Sequence, residues 1–419
     1  MKKTLTITFG LLFALLALSQ AALAIPAFAR KYGYNCNMCH VAFPKLNDWG
    51  QRFRDNGYQT PGQAGLEKTA FDTGIPLALR TNAGYSIDRT GDGTASGFHL
   101  YSLDLLAAGV LHKNISFLFV YTPRIDEPAA DYSGPGNGNN PAQLAAIESA
   151  NVVFSNIIRD KLNLRVGRFE PGFQLLSSKR NYYVLQPFDS YGYVGSRNGF
   201  DFSANQIGVE AAGRFKPGLK YALGFVNGSG ANPDNNRFAD LYAALSKTFG
   251  KGEGQSAGQR VGVFGYLGWQ PADPGAPIVS PLGDASGQAN RSFSRLGADI
   301  SLNWKTINLQ AMAFRAVDDA AFNDLDPARD YTFWGGIAQL DCAAMANNRL
   351  VGSLMYNWVR PPDGDGIHQI DAYSALVRYY LGSWSAVNVA LHAEYTHRLV
   401  GSLFPLKEDV FTLLLDFDF

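Results

Sequence analysis

Apolar and polar residues alternate with a period of two over sixteen stretches of this chain, counted to within about two. Neighbouring side chains of a β-strand point to opposite faces, so each stretch predicts a strand with one apolar and one polar face. The predicted strands are 75–86, 97–111, 113–122, 146–157, 162–169, 205–214, 219–228, 237–249, 260–269, 292–304, 307–316, 332–343, 348–358, 368–381, 385–397 and 409–419. The connections after even-numbered strands are short, and those after odd-numbered strands are mostly long and rich in Gly, Pro and Asn.

This alternation of short turns and long loops is typical of membrane barrels. The predicted fold class is therefore all-β transmembrane: a roughly 16-stranded antiparallel outer-membrane β-barrel over 75–419, preceded by a short α-helical segment. A soluble β-sandwich is the alternative. Alternation places Ile307 and Leu309 toward lipid and Asn308 toward the lumen. Seven charged residues have inward parity: Arg165, Glu210, Asp240, Arg295, Asp299, Asp341 and Arg378. With an even strand count, both barrel ends lie on the periplasmic side.

The first residues have the three parts of a secretory signal. Lys2 and Lys3 give the charged part, 9–18 the apolar part, and Ala22-Leu23-Ala24 the cleavage site. We expect residues 1–24 to be removed and the mature chain to reach the outer membrane of a Gram-negative cell, where lipid surrounds it. An uncleaved helical anchor is the alternative. Equal numbers of acidic and basic residues, 36 of each, argue against nucleic acid as a partner.

Cys36-Asn37-Met38-Cys39-His40 is a C-x-x-C-H motif, the attachment signature of a c-type haem. Cys36 and Cys39 would form the two thioether bonds of one covalent haem c, and His40 would be the axial ligand of its iron. The alternatives are a structural zinc, which needs two more soft ligands nearby, and a redox dithiol, which needs a βαβ setting. Neither requirement is met in this segment. Cys342 is interpreted as an apolar wall residue.

Residues 25–74 are predicted to form the haem segment and a linker, with a short helix over 44–55 and Gly57 as its stop. Between 25 and 73 no other His occurs, and the only Met lies inside the motif. The segment therefore has no second axial ligand of its own, and the sixth position is either open or filled from the barrel wall. The inward-facing candidates are Met312, Met355 and His392. If one of them binds the iron, the haem segment plugs the barrel.

Five runs of the haem segment match a known pattern: 27–33, 36–40, 43–47, 50–53 and 56–58. The pattern resembles the fused monohaem cytochrome–porins of bacterial outer membranes. The resemblance implies a haem on Cys36, Cys39 and His40, and it implies outer-membrane electron transfer. The best-known members oxidise extracellular ferrous iron. No residue of this chain matches an iron-binding position.

A second resemblance involves residues 166–173 and 177–180, which look like the strand and loop of phosphate-selective-type porins. By the strand count this is the third external loop, which folds inward in 16-stranded porins. Its charged and aromatic residues either line a constriction or lie on the surface; they are Lys179, Arg180, Tyr182, Tyr183, Tyr191 and Tyr193.

The predicted function is outer-membrane electron transfer through the single haem. Electrons would pass between an extracellular donor, for which Fe(II) is the leading choice, and a periplasmic cytochrome or other carrier. Reverse flow to an external acceptor is equally allowed. Two possibilities stay open. The protein is either an enzyme, namely an Fe(II):cytochrome c oxidoreductase, or only an electron-transfer protein. The alternative function is a solute porin, anion-selective in one version, whose periplasmic haem domain does not conduct.

Overall fold

The structure is a computed structural model. It describes residues 27–60, 62–72, 76–123, 147–173, 175–185, 188–193, 195–216, 218–230, 234–250, 258–272, 290–384, 387–402 and 405–418. The predicted signal sequence and its cleavage site lie outside the described residues, as does the terminal Phe419.

The described part of the chain begins with a small segment of helices and short strands. Its elements are helix α1 (Ala27–Tyr32), a 3₁₀ turn (Cys36–Met38), strands β1 (His40–Ala42) and β2 (Lys45–Leu46), and helix α2 (Asp48–Asp55). The predicted helix start at 44 is wrong, because residues 45 and 46 pair with β1. Asn47 then caps α2, its side chain accepting a hydrogen bond from the Gly50 amide at 2.8 Å. Gly57 ends the helical region with a φ of 67°.

Sixteen strands close one antiparallel barrel, which confirms the predicted fold class. They are β3 (Leu77–Thr90), β4 (Gly93–His112), β5 (Ile115–Tyr121), β6 (Ile147–Phe154), β8 (Asn163–Phe169), β9 (Gln206–Phe215), β10 (Leu219–Val226), β11 (Asp240–Phe249), β12 (Gln259–Pro271), β13 (Asn290–Trp304), β14 (Ile307–Asp318), β15 (Tyr331–Ala344), β16 (Leu350–Arg360), β17 (Ile370–Trp384), β18 (Val387–Val400) and β19 (Leu406–Asp418). A short strand, β7 (Ile157–Asp160), lies in the connection between β6 and β8 and is not part of the barrel. Each barrel strand overlaps one predicted strand.

The barrel closes where β19 pairs with β3, with Asp418 opposite Arg80. Both chain ends of the barrel therefore lie at the end that carries the short connections, here called the turn end; the opposite end is the loop end. The first loop is shorter than expected, since β3 and β4 extend until only Gly91 and Asp92 join them.

The two wall faces differ as the alternation predicts. On β18, Leu391 and Tyr395 are each 42% exposed toward the outside, whereas His392 between them is fully enclosed. The inward charged residues are likewise buried or half-buried. Among the described residues, no helix is both long and apolar enough to cross a bilayer.

The connection over 170–205 fills much of the lumen. Phe202 is at its centre. The centroid of its ring lies 5.0 Å from that of Phe173, in the same connection, and 5.1 Å from that of Phe314 on wall strand β14. Wall groups also bind its backbone: Glu394 accepts from the Val184 amide at 2.8 Å. Of the two alternatives for this loop, the inward one is correct, and its four tyrosines are buried: Tyr182, Tyr183, Tyr191 and Tyr193.

The N-terminal segment lies across the turn end. Asn163 at the start of β8 donates to the Asp55 carbonyl at 2.8 Å, and Asn348 in the turn after β15 donates to the Val41 carbonyl at 2.7 Å. Tyr380 near the end of β17 donates to the Phe43 carbonyl. Since these wall groups come from different sides of the barrel, the segment spans its mouth.

Candidate haem site

The C-x-x-C-H motif forms a compact turn held by the helix that follows it. Asn47 donates from its side-chain amide to the carbonyls of Asn37 and Met38, at 3.2 and 3.0 Å. A Cβ on Gly50 would lie 2.1 Å from the Cys39 carbonyl oxygen, so only glycine allows α2 to approach the motif this closely. The turn thus presents both cysteines from one rigid unit.

His40 has one ring nitrogen bound to the backbone. Its Nδ1 lies 3.0 Å from the Pro44 carbonyl oxygen. Because a carbonyl only accepts hydrogen bonds, Nδ1 carries the proton and Nε2 keeps its lone pair. Burial lowers the pKa of His40 to about 4, so the imidazole is neutral near pH 7. A hydrogen bond from the second ring nitrogen is the usual support of a metal-binding histidine.

The two thiols are free and half-buried. Burial raises the pKa of Cys36, with a further contribution from the charge of Asp418, and burial raises that of Cys39 to about 12. A catalytic redox dithiol needs a lowered thiol pKa, so this setting does not favour that alternative. Two uncharged thiols three residues apart, followed directly by a neutral imidazole, are the set that a c-type haem uses.

The wall beside the motif carries buried polar groups, some of whose atoms lack a hydrogen-bond partner. The Arg80 guanidinium lies over the Phe43 ring at 5.6 Å, and that of Arg378 lies over the Tyr380 ring at 5.4 Å. The Nε atoms of both arginines are buried and have no hydrogen-bond partner among the described residues. Asp418 pairs with Arg80 at 3.7 Å and offsets part of this charge. Asp416 also pairs with both arginines, so the wall beside the motif holds buried ion pairs and is not a set of unpaired donors.

The three candidates for a sixth ligand are occupied elsewhere or enclosed. The Met312 sulfur accepts a hydrogen bond from the Tyr191 hydroxyl at 2.9 Å, inside the lumen loop. Met355 is 4% exposed. His392 binds the Glu394 carboxylate through Nε2 at 2.9 Å, and its side chain has no exposed surface. In the part of the chain that the structure describes, no hydrogen bond, ion pair or ring contact joins any of these side chains to His40.

Comparisons with known proteins match the chain to no protein-family model and to no curated sequence. Solved structures do match. OmpT of Vibrio cholerae, in its trimer form, is 13% identical over 82% of this chain and 99% of its own, with a TM-score of 0.50. The channel DcaP of Acinetobacter baumannii is 11% identical over 83% and 97%, with a TM-score of 0.52. OprB of Pseudomonas putida is 13% identical over 83% and 95%, with a TM-score of 0.50.

At these identities the likeness establishes the fold. The chain is a porin-like outer-membrane β-barrel. The N-terminal segment is thus the part of the molecule to which the porin-like fold assigns no role.

Ion pairs hold the segment to the barrel. Asp55 at the end of α2 accepts from Arg214 on β9 at 2.8 Å and from Lys220 on β10 at 2.7 Å. Burial would raise the pKa of Asp55, but the charges of Lys220 and Arg214 outweigh it and hold that pKa well below its usual range. On the opposite side, Lys45 pairs with Asp341 on β15. The motif itself signals none of these partners, because they lie far away in the sequence.

A cavity of about 290 Å³ remains between α2 and the wall. Basic side chains outnumber acidic ones in its lining; they are Lys45, Arg54, Arg165, Arg180, Arg214, Lys220 and Arg260. All seven have a carboxylate partner; Glu170, for example, lies 3.4 Å from Arg54 and also binds Arg180. Cys36, Cys39 and His40 are not part of this lining, so the cavity and the motif are separate features of the mouth.

Proposed function

We propose that the protein transfers electrons at the outer membrane, with one covalent haem c as its redox group, between an extracellular donor and a periplasmic carrier. The observation that carries this proposal is the C-x-x-C-H turn, in which the Pro44 carbonyl binds Nδ1 of His40 and the thiols of Cys36 and Cys39 form no disulfide. We also propose membership of the cytochrome–porin family, on the motif runs given above.

Each residue of the motif has a defined task in this proposal. Cys36 and Cys39 anchor the haem through thioether bonds, and His40 binds the iron. Asn47 and Gly50 keep these three groups in one unit, and Asp55 and Lys45 fix that unit to the wall. When bound, a haem c supplies a one-electron Fe(III)/Fe(II) couple whose potential depends on its axial ligands and burial.

The placement of the segment supports transfer across the barrier rather than on one side of it. The apolar band of an outer-membrane barrel is about 25 Å tall. A segment seated inside the turn end shortens the distance that remains to the loop end. The lumen loop around Phe202 occupies part of that distance, and it leaves little room for solutes to exchange.

The test uses liposomes that carry the purified protein and contain a trapped redox dye. External Fe(II) is expected to reduce first the haem and then the dye, at a rate above that of protein-free liposomes. If Fe(II) and other external donors reduce the haem but never the trapped dye, the proposal of transfer across the membrane fails. Absence of a covalent haem band on a denaturing gel would remove its basis.

The second candidate is a solute porin with a haem domain that does not conduct. The barrel's likeness to porins favours this candidate, and the excess of basic over acidic side chains in the cavity lining favours an anion as its solute. Conductance in planar bilayers separates the two. An electron-transfer barrel with a filled lumen is nearly closed, whereas a porin conducts steadily and its reversal potential in a KCl gradient reports anion preference.

A further inference from the structure

The two ends of the barrel carry opposite charge. In the turns that the structure describes, six basic residues stand against Asp160 alone; they are Lys113, Arg159, Lys161, Lys216, Lys305 and Arg349. At the loop end, the connection 319–330 carries four aspartates and only one arginine. The chain has no net charge, so this is a separation of charge along the barrel axis rather than an excess.

The basic side chains of the turns are available for contact. Lys113, Lys161, Lys216 and Lys305 are exposed, and within the described ranges none of the four belongs to an ion pair. They contrast with the basic residues of the lumen, such as Arg214 and Lys45, which have carboxylate partners. The exposed lysines thus give the turn end an excess of positive charge.

The position of these lysines relative to the haem segment indicates what kind of partner the positive charge can bind. They lie in turns around the mouth that the segment spans. A soluble protein that covers the mouth can approach all of these turns at once, whereas a lipid headgroup reaches each turn only from the outer side. Surface charges of one sign raise association rates by about 10- to 1,000-fold for an oppositely charged protein.

We propose that the turn end is the docking surface for a periplasmic electron carrier with an acidic face. The proposal rests on the proposed function for the need of a carrier, and it adds the chemistry by which that carrier is recognised. The complex forms by charge complementarity and is transient, as is typical of small electron-transfer interfaces.

The test compares two probes that differ only in surface charge: mitochondrial cytochrome c, which is basic, and the same protein with its lysines succinylated, which is acidic. The full-length haem-loaded barrel is held in phosphatidylcholine nanodiscs, and both proteins are fully oxidised, so binding is measured without electron transfer. The acidic probe is expected to bind at least about tenfold more tightly at low salt, and the difference to vanish as the Debye length falls.

The matched variants keep the turns folded. Lys113 and Lys305 have φ of 45° and 52°, a region that asparagine tolerates, so the variant is Lys113→Asn, Lys161→Glu, Lys216→Glu and Lys305→Asn. It is expected to lose the preference for the acidic probe. The control carries Lys→Arg at the same four positions, keeps the charge and is expected to keep the preference.

Equal binding of both probes, or an unchanged preference in the first variant, overturns the proposal. If the wild-type protein loses its preference for the acidic probe only in nanodiscs that contain phosphatidylglycerol, the proposal is also overturned, because the turns then bind anionic lipid. The Cys36→Ser/Cys39→Ser variant separates this proposal from the function: binding that persists without haem leaves the docking surface standing even if electron transfer fails. Loss of binding in that variant, with the barrel intact, would assign the docking to the haem and not to the lysines.

Discussion

Two parts of the chain occupy the barrel lumen, and they are held in different ways. The lumen loop over 170–205 is anchored by aromatic packing: Phe202 contacts Phe173 and Phe314 with centroid distances of 5.0 and 5.1 Å. The N-terminal segment is anchored mainly by charge, through Asp55 and Lys45 and their partners on the wall, with a smaller apolar contact between Phe53, Tyr58 and Ala108 of β4.

The difference indicates the order in which the two parts assemble with the barrel. Apolar packing is strongest where it is continuous with a core, and the lumen loop joins its rings to those of the wall strands. The loop therefore belongs to the folding unit of the barrel. The haem segment has an aromatic cluster of its own, in which Phe53 lies 5.0 Å from Phe28 and 5.3 Å from Trp49. A segment with its own core and polar contacts to the wall can receive a cofactor first and dock afterwards.

The largest expected effect is the complete loss of cofactor without loss of the barrel. The Cys36→Ser/Cys39→Ser variant is expected to show no covalent haem band on a denaturing gel, because no thioether can form. Its barrel is expected to keep the heat-dependent shift in gel migration that marks a folded outer-membrane barrel, since the lumen loop is untouched. The control is Cys342→Ser, in an exposed wall residue, which retains the haem. Loss of the folded barrel in the double variant would contradict the independence of the two parts.

The second effect concerns the lumen loop. Phe202→Ala removes the central ring of its aromatic cluster and is expected to lower the free energy of unfolding by about 3–5 kcal/mol. Urea unfolding in detergent, followed by tryptophan fluorescence, measures this. Phe98→Ala is the matched control, because the same atoms are removed from a side chain that is 85% exposed. Equal losses in the two variants would show that the loop is not part of the barrel's folding unit.

The barrel was predictable because its signal is local: a period of two needs only the residues of one strand, and all sixteen strands were found this way. The start of α2 was not, since the capping side chain of Asn47 decides it and residues 45 and 46 pair elsewhere. The partners of Lys45 could not be predicted either. Asp341 lies 296 residues away, and nothing in either neighbourhood marks the other.

The third prediction tests the charge-held docking. Asp55→Asn leaves Arg214 and Lys220 without their carboxylate, at a cost of about 1–3 kcal/mol. Hydrogen exchange of the α2 amides is expected to become about ten- to a hundredfold faster, and high salt to act on the wild type in the same direction. Asp48→Asn is the control, because Asp48 pairs only with Arg52 of the same helix among the ion pairs of the described residues. Unchanged exchange in Asp55→Asn would mean that apolar contacts hold the segment.

The smallest expected effect concerns the three wall residues considered as a sixth haem ligand. Met312→Leu, Met355→Leu and His392→Gln are expected to leave the visible spectrum and the reduction potential of the haem unchanged. The reason is that the Met312 sulfur is bound by Tyr191 and His392 is enclosed and bound to Glu394. The sixth position is then open to small ligands, and imidazole added to the oxidised protein is expected to shift the spectrum of the wild type and of all three variants alike. A spectral change in one variant before imidazole is added would assign the sixth ligand to that residue. It would also make the haem segment and the wall one unit, held by iron as well as by charge.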